Sequence, residues 1–260
     1  MSKGSGNRTA DFGAFRNNYD DIDWGRKPVG ECLGLPIYED PELKPLGITF
    51  GAFEPDKPII GVIMAAYNAE RWILPAITSV LGQTYYNVRL AIVDDGSTDR
   101  TTEIIESKVR DFRAMLLKRE HAGCMAAKAA ALELLLHSDA VTHIAIMDAD
   151  DICDLRRFEK QLRHLDETGV DISFTTYGWI NEDAKPLRSM APRRANATAL
   201  CKREWYETCG WSDGGDEYES DGRVIERMIK AGATYDVLQE ECYLQRRHPW
   251  QISMLKRRRR

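Results

Sequence analysis

Two stretches decide the fold: Val88-Arg89-Leu90-Ala91-Ile92-Val93-Asp94-Asp95-Gly96-Ser97-Thr98-Asp99 and His143-Ile144-Ala145-Ile146-Met147-Asp148-Ala149-Asp150-Asp151. Each is a short, nearly continuous apolar run that ends abruptly in carboxylates. Such a run suits a strand buried on both faces. Carboxylates that follow it fall at the strand's carboxyl end, where open α/β sheets take their ligands.

Working outward, Pro58 to Ala65 is another nearly continuous apolar run, and Arg113–Lys118 and Asp171–Tyr177 read as further strands. Helical stretches separate them. Glu70–Leu81 carries Trp72, Ile73, Ile77, Val80 and Leu81 on one side, Ala122–Leu136 is alanine-rich, and Leu155–Leu165 follows the second acidic cluster. Gly96-Ser97-Thr98-Asp99 is a turn and helix-start signal, with Asp99 suited to capping. This alternation predicts an α/β fold with a mostly parallel, twisted sheet flanked by helices. Residues 1–57 differ: they are rich in Gly, Asn, Asp and Pro, with isolated Phe12, Phe15, Tyr19 and Trp24, and read as an extended arm that docks aromatics on the main domain. The expected organisation is an arm over 1–57, a catalytic domain over 58–250 and a basic tail over 251–260.

A chain of 260 residues is long enough for one core-bearing domain with decorations. No apolar run approaches the roughly 18 residues that cross a bilayer, and Met1 to Gly13 has no apolar signal core, so a cytoplasmic protein is expected. The six cysteines, Cys32, Cys124, Cys153, Cys201, Cys209 and Cys242, include no C-x-x-C pair; this argues against structural zinc and for reduced thiols. The net charge is −5 and the last five residues, Lys256 to Arg260, carry +5, so the rest of the chain carries −10. An acidic body argues against a dedicated DNA-binding domain.

Asp148-Ala149-Asp150 carries the most chemistry. Two carboxylates one residue apart at a strand end suit a hard cation shared with diphosphate oxygens. Mg²⁺ or Mn²⁺ there would act as a Lewis acid on a departing diphosphate.

The ordered set of Val62–Glu70, Ile77–Tyr85, Ile92–Asp99, His121-Ala122-Gly123, Ala127-Lys128 and Asp148–Asp151 resembles family 2 glycosyltransferases of the GT-A fold, over roughly residues 58–250. The resemblance implies a metal-dependent inverting transferase that takes a sugar from a nucleotide-diphosphate donor, a UDP-sugar for preference, with Mn²⁺ or Mg²⁺ as cofactor. It places the base and ribose against Ala65, Ala66, Tyr67 and Asn68, with Asp94 or Asp95 reading the base. Lys128 then lies near the donor phosphates, Asp148 near ribose, and Asp150 on the metal. Inverting transfer needs a carboxylate to take the acceptor's proton. Gly210-Trp211-Ser212-Asp213 resembles the turn before that segment, and the spacing to Arg227 selects Asp221; Glu217 and Glu219 compete with it. Arg246-Arg247-His248 resembles the closing Arg-x-His element, with His248 a candidate metal ligand and Arg246 a candidate phosphate contact. Where processive synthases need Arg, position 248 is His, which favours single transfer. Ala65 replaces the family's usual Pro, Ala129 its frequent Asn, and Ser220 its common Glu.

The acceptor stays open. Met1–Arg8 and Phe15–Lys27 resemble segments of phage-encoded proteins, which would imply a 5-hydroxymethylpyrimidine in phage DNA as favoured acceptor, in the host cytoplasm. Arg193-Arg194, Arg246-Arg247 and the tail would then meet backbone phosphates. The alternatives are a cell-surface glycan or lipid-linked acceptor with the tail on an anionic membrane, a nucleotidyltransferase on a related fold, and an inactive nucleotide-sugar-binding module.

Overall fold

The structure is a computed structural model that describes residues 30–32, 35–37, 53–54, 56–187, 195–211, 221–249 and 251. In the N-terminal region β1 (Gly30–Cys32) and β2 (Leu35–Ile37) form an antiparallel pair, a hairpin that the irregular sequence of the arm did not predict. The arm's remaining residues up to 52, its phage-like segments, Arg193-Arg194, Glu217, Glu219 and the tail from 252 lie outside the described residues.

The main domain runs β3 (Ile59–Ala66), α1 (Ile73–Leu81), β4 (Val88–Asp94), α2 (Thr101–Lys108), β5 (Ala114–Lys118), α3 (Cys124–Leu136), β6 (Val141–Ile146), β7 (Ile152–Cys153), α4 (Arg157–Thr168), β8 (Ile172–Ile180), β9 (Leu200–Lys202), α5 (Arg203–Cys209), α6 (Asp221–Lys230) and β10 (Tyr235–Arg246). Its sheet has the order β5-β4-β3-β6-β9-β8-β10-β7. β5, β4, β3 and β6 are parallel neighbours, and β8 and β10 are parallel too. β9 lies antiparallel between β6 and β8, and β7 antiparallel on β10.

Each strand divides its side chains between two cores, as the twofold strand period requires. Ile60, Val62 and Met64 of β3 pack with Ile73, Ile77 and Val80 of α1 and Phe158 and Leu162 of α4. Ile63 faces the other way, toward Ala127, Ala131 and Leu135 of α3 and Val224, Ile225 and Met228 of α6. Both faces are covered, which explains the nearly unbroken apolar runs. α1 starts at Ile73 rather than Glu70, because Ala69 to Trp72 is spent on a turn held by the Thr101 hydroxyl on Ala69 N–H and by Asp99 on Glu70 N–H. Asp99 also accepts from Thr101 N–H at 2.9 Å, the capping contact expected of it.

One buried cation fixes the end of β6. Arg157 is fully buried, and its guanidinium donates to the backbone carbonyls of Ile146, Ala197 and Ala199 at 3.2–3.5 Å and to Gln161 Oε1 at 2.9 Å. It thereby ties the strand leading into Asp148 to the 3₁₀ turn at Asn196–Thr198. Arg157→Leu should strand these carbonyls without donors and destabilise the domain by about 3 kcal/mol. Urea unfolding of the two proteins checks this; a loss under about 1 kcal/mol would show that the carbonyls find other donors.

Candidate active site

The carboxyl ends of β3, β4 and β6 meet along one edge of the sheet. At the end of β3, Asn68 takes a left-handed backbone (φ 49°), a conformation asparagine tolerates, and its Oδ1 accepts from Thr98 N–H at 2.8 Å. Ser97 Oγ accepts in turn from Asn68 N–H at 3.0 Å, so the loops after β3 and β4 are cross-braced. Gly96 has φ +75°, and a Cβ there would lie 2.8 Å from the backbone nitrogen of His121; only glycine lets the loop after β4 come this close to the loop after β5.

Asp94 and Asp95 are both buried and do different jobs. The Asp94 carboxylate takes the Ser97 hydroxyl at 2.5 Å and also the Thr102 hydroxyl, fastening its own loop to α2. Asp95 turns across the edge, accepting from Ala122 N–H at 3.0 Å and Gly123 N–H at 2.8 Å, with His121 Nδ1 2.9 Å away. The His121 ring stacks on Tyr67, with centroids 4.2 Å apart and planes 26° apart. Tyr67 is half exposed, so an aromatic platform stands at the edge beside Asp95.

Lys128 forms the centre. It sits on α3 and is 2% exposed, and its Nζ lies 2.8 Å from Asp148 Oδ1 and 2.8 Å from Asp221 Oδ2. Burial pulls the ammonium's pKa down, but the two carboxylates outweigh it, and the net shift is well above the usual lysine range. Asp221 opens α6; burial raises its pKa, Lys128 lowers it, Asp148 raises it again, and the net shift is upward. Its second oxygen, Oδ1, is buried with no hydrogen-bond partner among the described residues. Close by, burial pushes the Cys124 thiol up to about 11, which makes it a packing group rather than a nucleophile.

A second clamp holds Asp150. His248 Nε2 lies 2.8 Å from Asp150 Oδ2, and the His248 ring is packed on Trp72 with centroids 4.1 Å apart. Arg246 is buried and donates to the backbone carbonyls of Asp150, Asn181 and Glu182 at 2.7–3.0 Å. Its backbone N–H meets Asp151 Oδ1 at 2.7 Å. The phosphate contact expected of Arg246 is thus matched by a positioning job, since its guanidinium is spent on the loop that carries Asp150. Among the described residues no three His, Cys, Asp or Glu side chains converge as a ready-made metal cage.

The structure therefore brings together Lys128, Asp148 and Asp221 in one group, Asp150, Arg246 and His248 in a second, and Tyr67, Asn68, Asp94 and Asp95 along the β3–β4 edge; Ala65 and Ala66 end β3 beneath that edge. Trp72 and Tyr243, whose hydroxyl accepts from Asp148 N–H at 3.2 Å, were read from sequence only as apolar filler or not at all. Nothing in their local sequence distinguishes them from core aromatics.

The profile of Glycosyl transferase family 2 matches residues 61–211, more than half of the chain, and the chain belongs to that family. It is 33% identical over 133 residues to the putative teichuronic acid biosynthesis glycosyltransferase TuaG of Bacillus subtilis, covering 50% of this chain and 51% of that protein. It is 32% identical over 149 residues to the UDP-Glc:alpha-D-GlcNAc-diphosphoundecaprenol beta-1,3-glucosyltransferase WfgD of Escherichia coli, covering 56% of each. Against uncharacterised glycosyltransferases of Rickettsia the match covers 50% of this chain and as little as 18–21% of theirs, so the chain spans about half or less of these relatives. Among solved structures, S. aureus TarS in complex with UDP-GlcNAc superposes with a TM-score of 0.62 at 16% identity, over 74% of this chain and 60% of that one. This likeness shows the GT-A fold.

Lys128→Met should expose the cost of leaving Asp221 without a cation. The destabilisation should reach about 3 kcal/mol near pH 8 and shrink near pH 5. The sign follows from proton linkage: without Lys128 the folded-state pKa of Asp221 rises further above its unfolded value, so stability is lost as pH rises between the two. Denaturant unfolding at both pH values checks this, and a pH-independent loss would contradict it.

Proposed function

We propose that this chain is an inverting, single-transfer glycosyltransferase that uses a UDP-sugar, with Asp221 as general base and a hydroxyl of a glycan or lipid-linked glycan as acceptor. The observation that carries this reading is the double ion pair of Lys128, which ties the donor-side Asp148 to Asp221. A base must be close to the reacting centre and basic enough to take the acceptor's proton. The link to Asp148 serves the first requirement, and burial, which raises the pKa of Asp221, serves the second.

The β3–β4 edge suits a nucleoside. The half-exposed Tyr67 ring stacked on His121 offers a planar base a surface, and Asp95 beside it offers an acceptor for a base N–H. Both carboxylates already accept hydrogen bonds, but Asp94 turns back onto its own loop and α2. Asp95 points across the edge beside the stacked rings of Tyr67 and His121, so its position makes it the better reader of the two. The neighbouring TarS is solved with UDP and with UDP-GlcNAc, and WfgD is named for UDP-Glc, which supports a UDP-sugar.

The donor set also suits a divalent cation. Asp148 and Asp150 supply hard oxygens, and the 2.8 Å between Asp150 Oδ2 and His248 Nε2 is close to the roughly 3 Å between adjacent ligands of an octahedral ion with bonds near 2.1 Å. These side chains do not close a cage by themselves, so Asp150, Asp148 and His248 would hold Mn²⁺ or Mg²⁺ together with oxygens of the donor, and the ion would supply charge neutralisation to the departing diphosphate. Arg246 and Trp72 keep Asp150 and His248 in place. Lys128 holds Asp148 and Asp221 apart by its own width and keeps Asp221 ionised enough to accept the proton of the incoming hydroxyl.

The relatives, rather than the arm, support this acceptor. WfgD and a second Escherichia coli relative, WfaP, are named for a diphosphoundecaprenol-linked GlcNAc, and TuaG for teichuronic acid. A DNA acceptor would draw on Arg246 among others, and the Arg246 guanidinium is already committed to the carbonyls of Asp150, Asn181 and Glu182. No helix among the described residues is long and apolar enough to cross a membrane.

Incubating the protein with UDP-glucose, UDP-GlcNAc and related donors plus Mn²⁺, with lipid-linked GlcNAc or with hydroxymethylated DNA, tests the reading. UDP release stimulated by the glycan supports it; stimulation only by DNA moves the acceptor. Asp221→Asn should keep UDP binding and lower transfer by about 10³-fold or more, whereas Asp150→Ala should abolish metal-dependent use of the donor. Full transfer by Asp221→Asn would remove the base assignment. Activity should fall on the acid side at a pH above the ordinary carboxylate range, because Asp221 must lose its proton to act and its pKa is raised. Lys128→Met should move that limb still higher, since the charge that lowers the pKa is gone. A limb that stays put in Lys128→Met would contradict the pairing.

A further inference from the structure

β10 breaks register with β8 twice, and both breaks flank one residue. Leu238 pairs with Thr175, Glu241 with Thr176 and Tyr243 with Tyr177, so Gln239, Glu240 and Cys242 are extra residues in the longer strand. Bulges of this kind re-aim a side chain and are common beside binding sites. The re-aimed side chain is Glu241. Its carboxylate lies flat on the backbone of Gly178: a Cβ at that position would come within 2.6 Å of Oε1, 2.8 Å of Cδ and 3.0 Å of Oε2. Gly178 therefore makes the seat for this carboxylate, and alanine would displace it.

Glu241 is partly buried, and no hydrogen bond or ion pair reaches its carboxylate among the described residues. Burial alone raises its pKa. A partly desolvated carboxylate without donors is less stable than one with hydrogen-bond partners.

Its place in the sheet says what it faces. Ala145 of β6, Leu200 of β9 and Ser173 of β8 lie in one row. Three residues further along their parallel strands come Asp148 and Thr176, so Thr176 and its partner Glu241 stand level with the candidate active site. Strand alternation puts them on its face as well: Ile172 and Phe174 of β8 pack with α3 and α6, the helices of Lys128 and Asp221, and Thr176 and Gly178 continue that side. At about 4.8 Å per strand, β8 and β10 lie about 10 and 14 Å from β6, a gap on the scale of a mono- or disaccharide.

We propose that Glu241, seated on Gly178 by the two bulges, is an acceptor-binding residue that takes hydrogen bonds from the hydroxyls of a neutral sugar and so aims one of them at Asp221. The assignment rests on the transferase reading above and narrows its acceptor: a partly buried carboxylate without donors attracts hydroxyl donors and repels the phosphates of a nucleic acid.

The test uses the full chain and its variants Glu241→Ala, Glu241→Gln and Gly178→Ala. UDP binding is followed by calorimetry, and transfer from UDP-sugars is measured to octyl glucoside, octyl N-acetylglucosaminide and hydroxymethylated DNA. Glu241→Ala should raise the KM for the accepted glycoside by about tenfold or more, with UDP affinity within about twofold of the parent. Glu241→Gln should fall between, and Gly178→Ala should match Glu241→Ala because both remove the carboxylate from its seat. An unchanged acceptor KM in Glu241→Ala, or a parallel loss of UDP affinity, overturns the proposal. So does a parent protein that binds UDP yet ignores both glycosides or accepts only DNA. A parent that binds no UDP instead strikes at the transferase reading, so the two failures are separable.

Discussion

A lysine ammonium buried between two carboxylates is stable only if both partners stay. Lys128 loses its hydration on α3, and Asp148 and Asp221, each 2.8 Å away, replace it. One carboxylate would leave the ion under-compensated, and neither would be tolerated buried without the cation. This mutual requirement joins three segments far apart in the chain: the helix after the first acidic strand pair, the end of β6 and the start of α6. The second of these is braced from the other face by Arg157, which grips the carbonyl of Ile146.

Around that centre the sheet's late strands complete the site. β10 returns parallel to β8 and then crosses toward the Asp150 loop, where β7 pairs with it and Arg246 caps three carbonyls. His248 follows directly and is pinned between Trp72 and Asp150. The proposed base edge, diphosphate corner and proton acceptor thus come from segments far apart in the chain and are set by a few polar contacts in partly buried surroundings, where such contacts are stronger than in water. Glu241 is conspicuous there, because among the described residues no hydrogen bond or ion pair reaches its carboxylate.

The parallel half of the fold was legible because its strands are buried on both faces. Pro58–Ala65 and Val88–Val93 have no polar alternation to confuse with a helix, and the structure moves their ends by only a residue or so. The other half was not. β10 was missed because Asp236, Gln239, Glu240 and Glu241 interrupt any apolar period, and the two bulges break what alternation remains. β7 has two residues and β9 three, too short for periodicity to register. α5 begins directly after β9, with no turn residue between them to mark it. At the site, the strand-end aspartates could be found from position alone. The partners that distinguish them could not: Trp72 meets His248, and Lys128 meets Asp221, across more than ninety residues of chain.

The most direct test is a crystal structure of the full chain with UDP and Mn²⁺. The pyrimidine should lie against Tyr67 within hydrogen-bond reach of Asp95, the diphosphate beside Asp148 and Asp150, and the metal on Asp150, with Lys128 still bridging Asp148 and Asp221. UDP bound away from the β3–β4 edge, or a Lys128 that abandons Asp221 for the diphosphate, would contradict the role given to that ion pair.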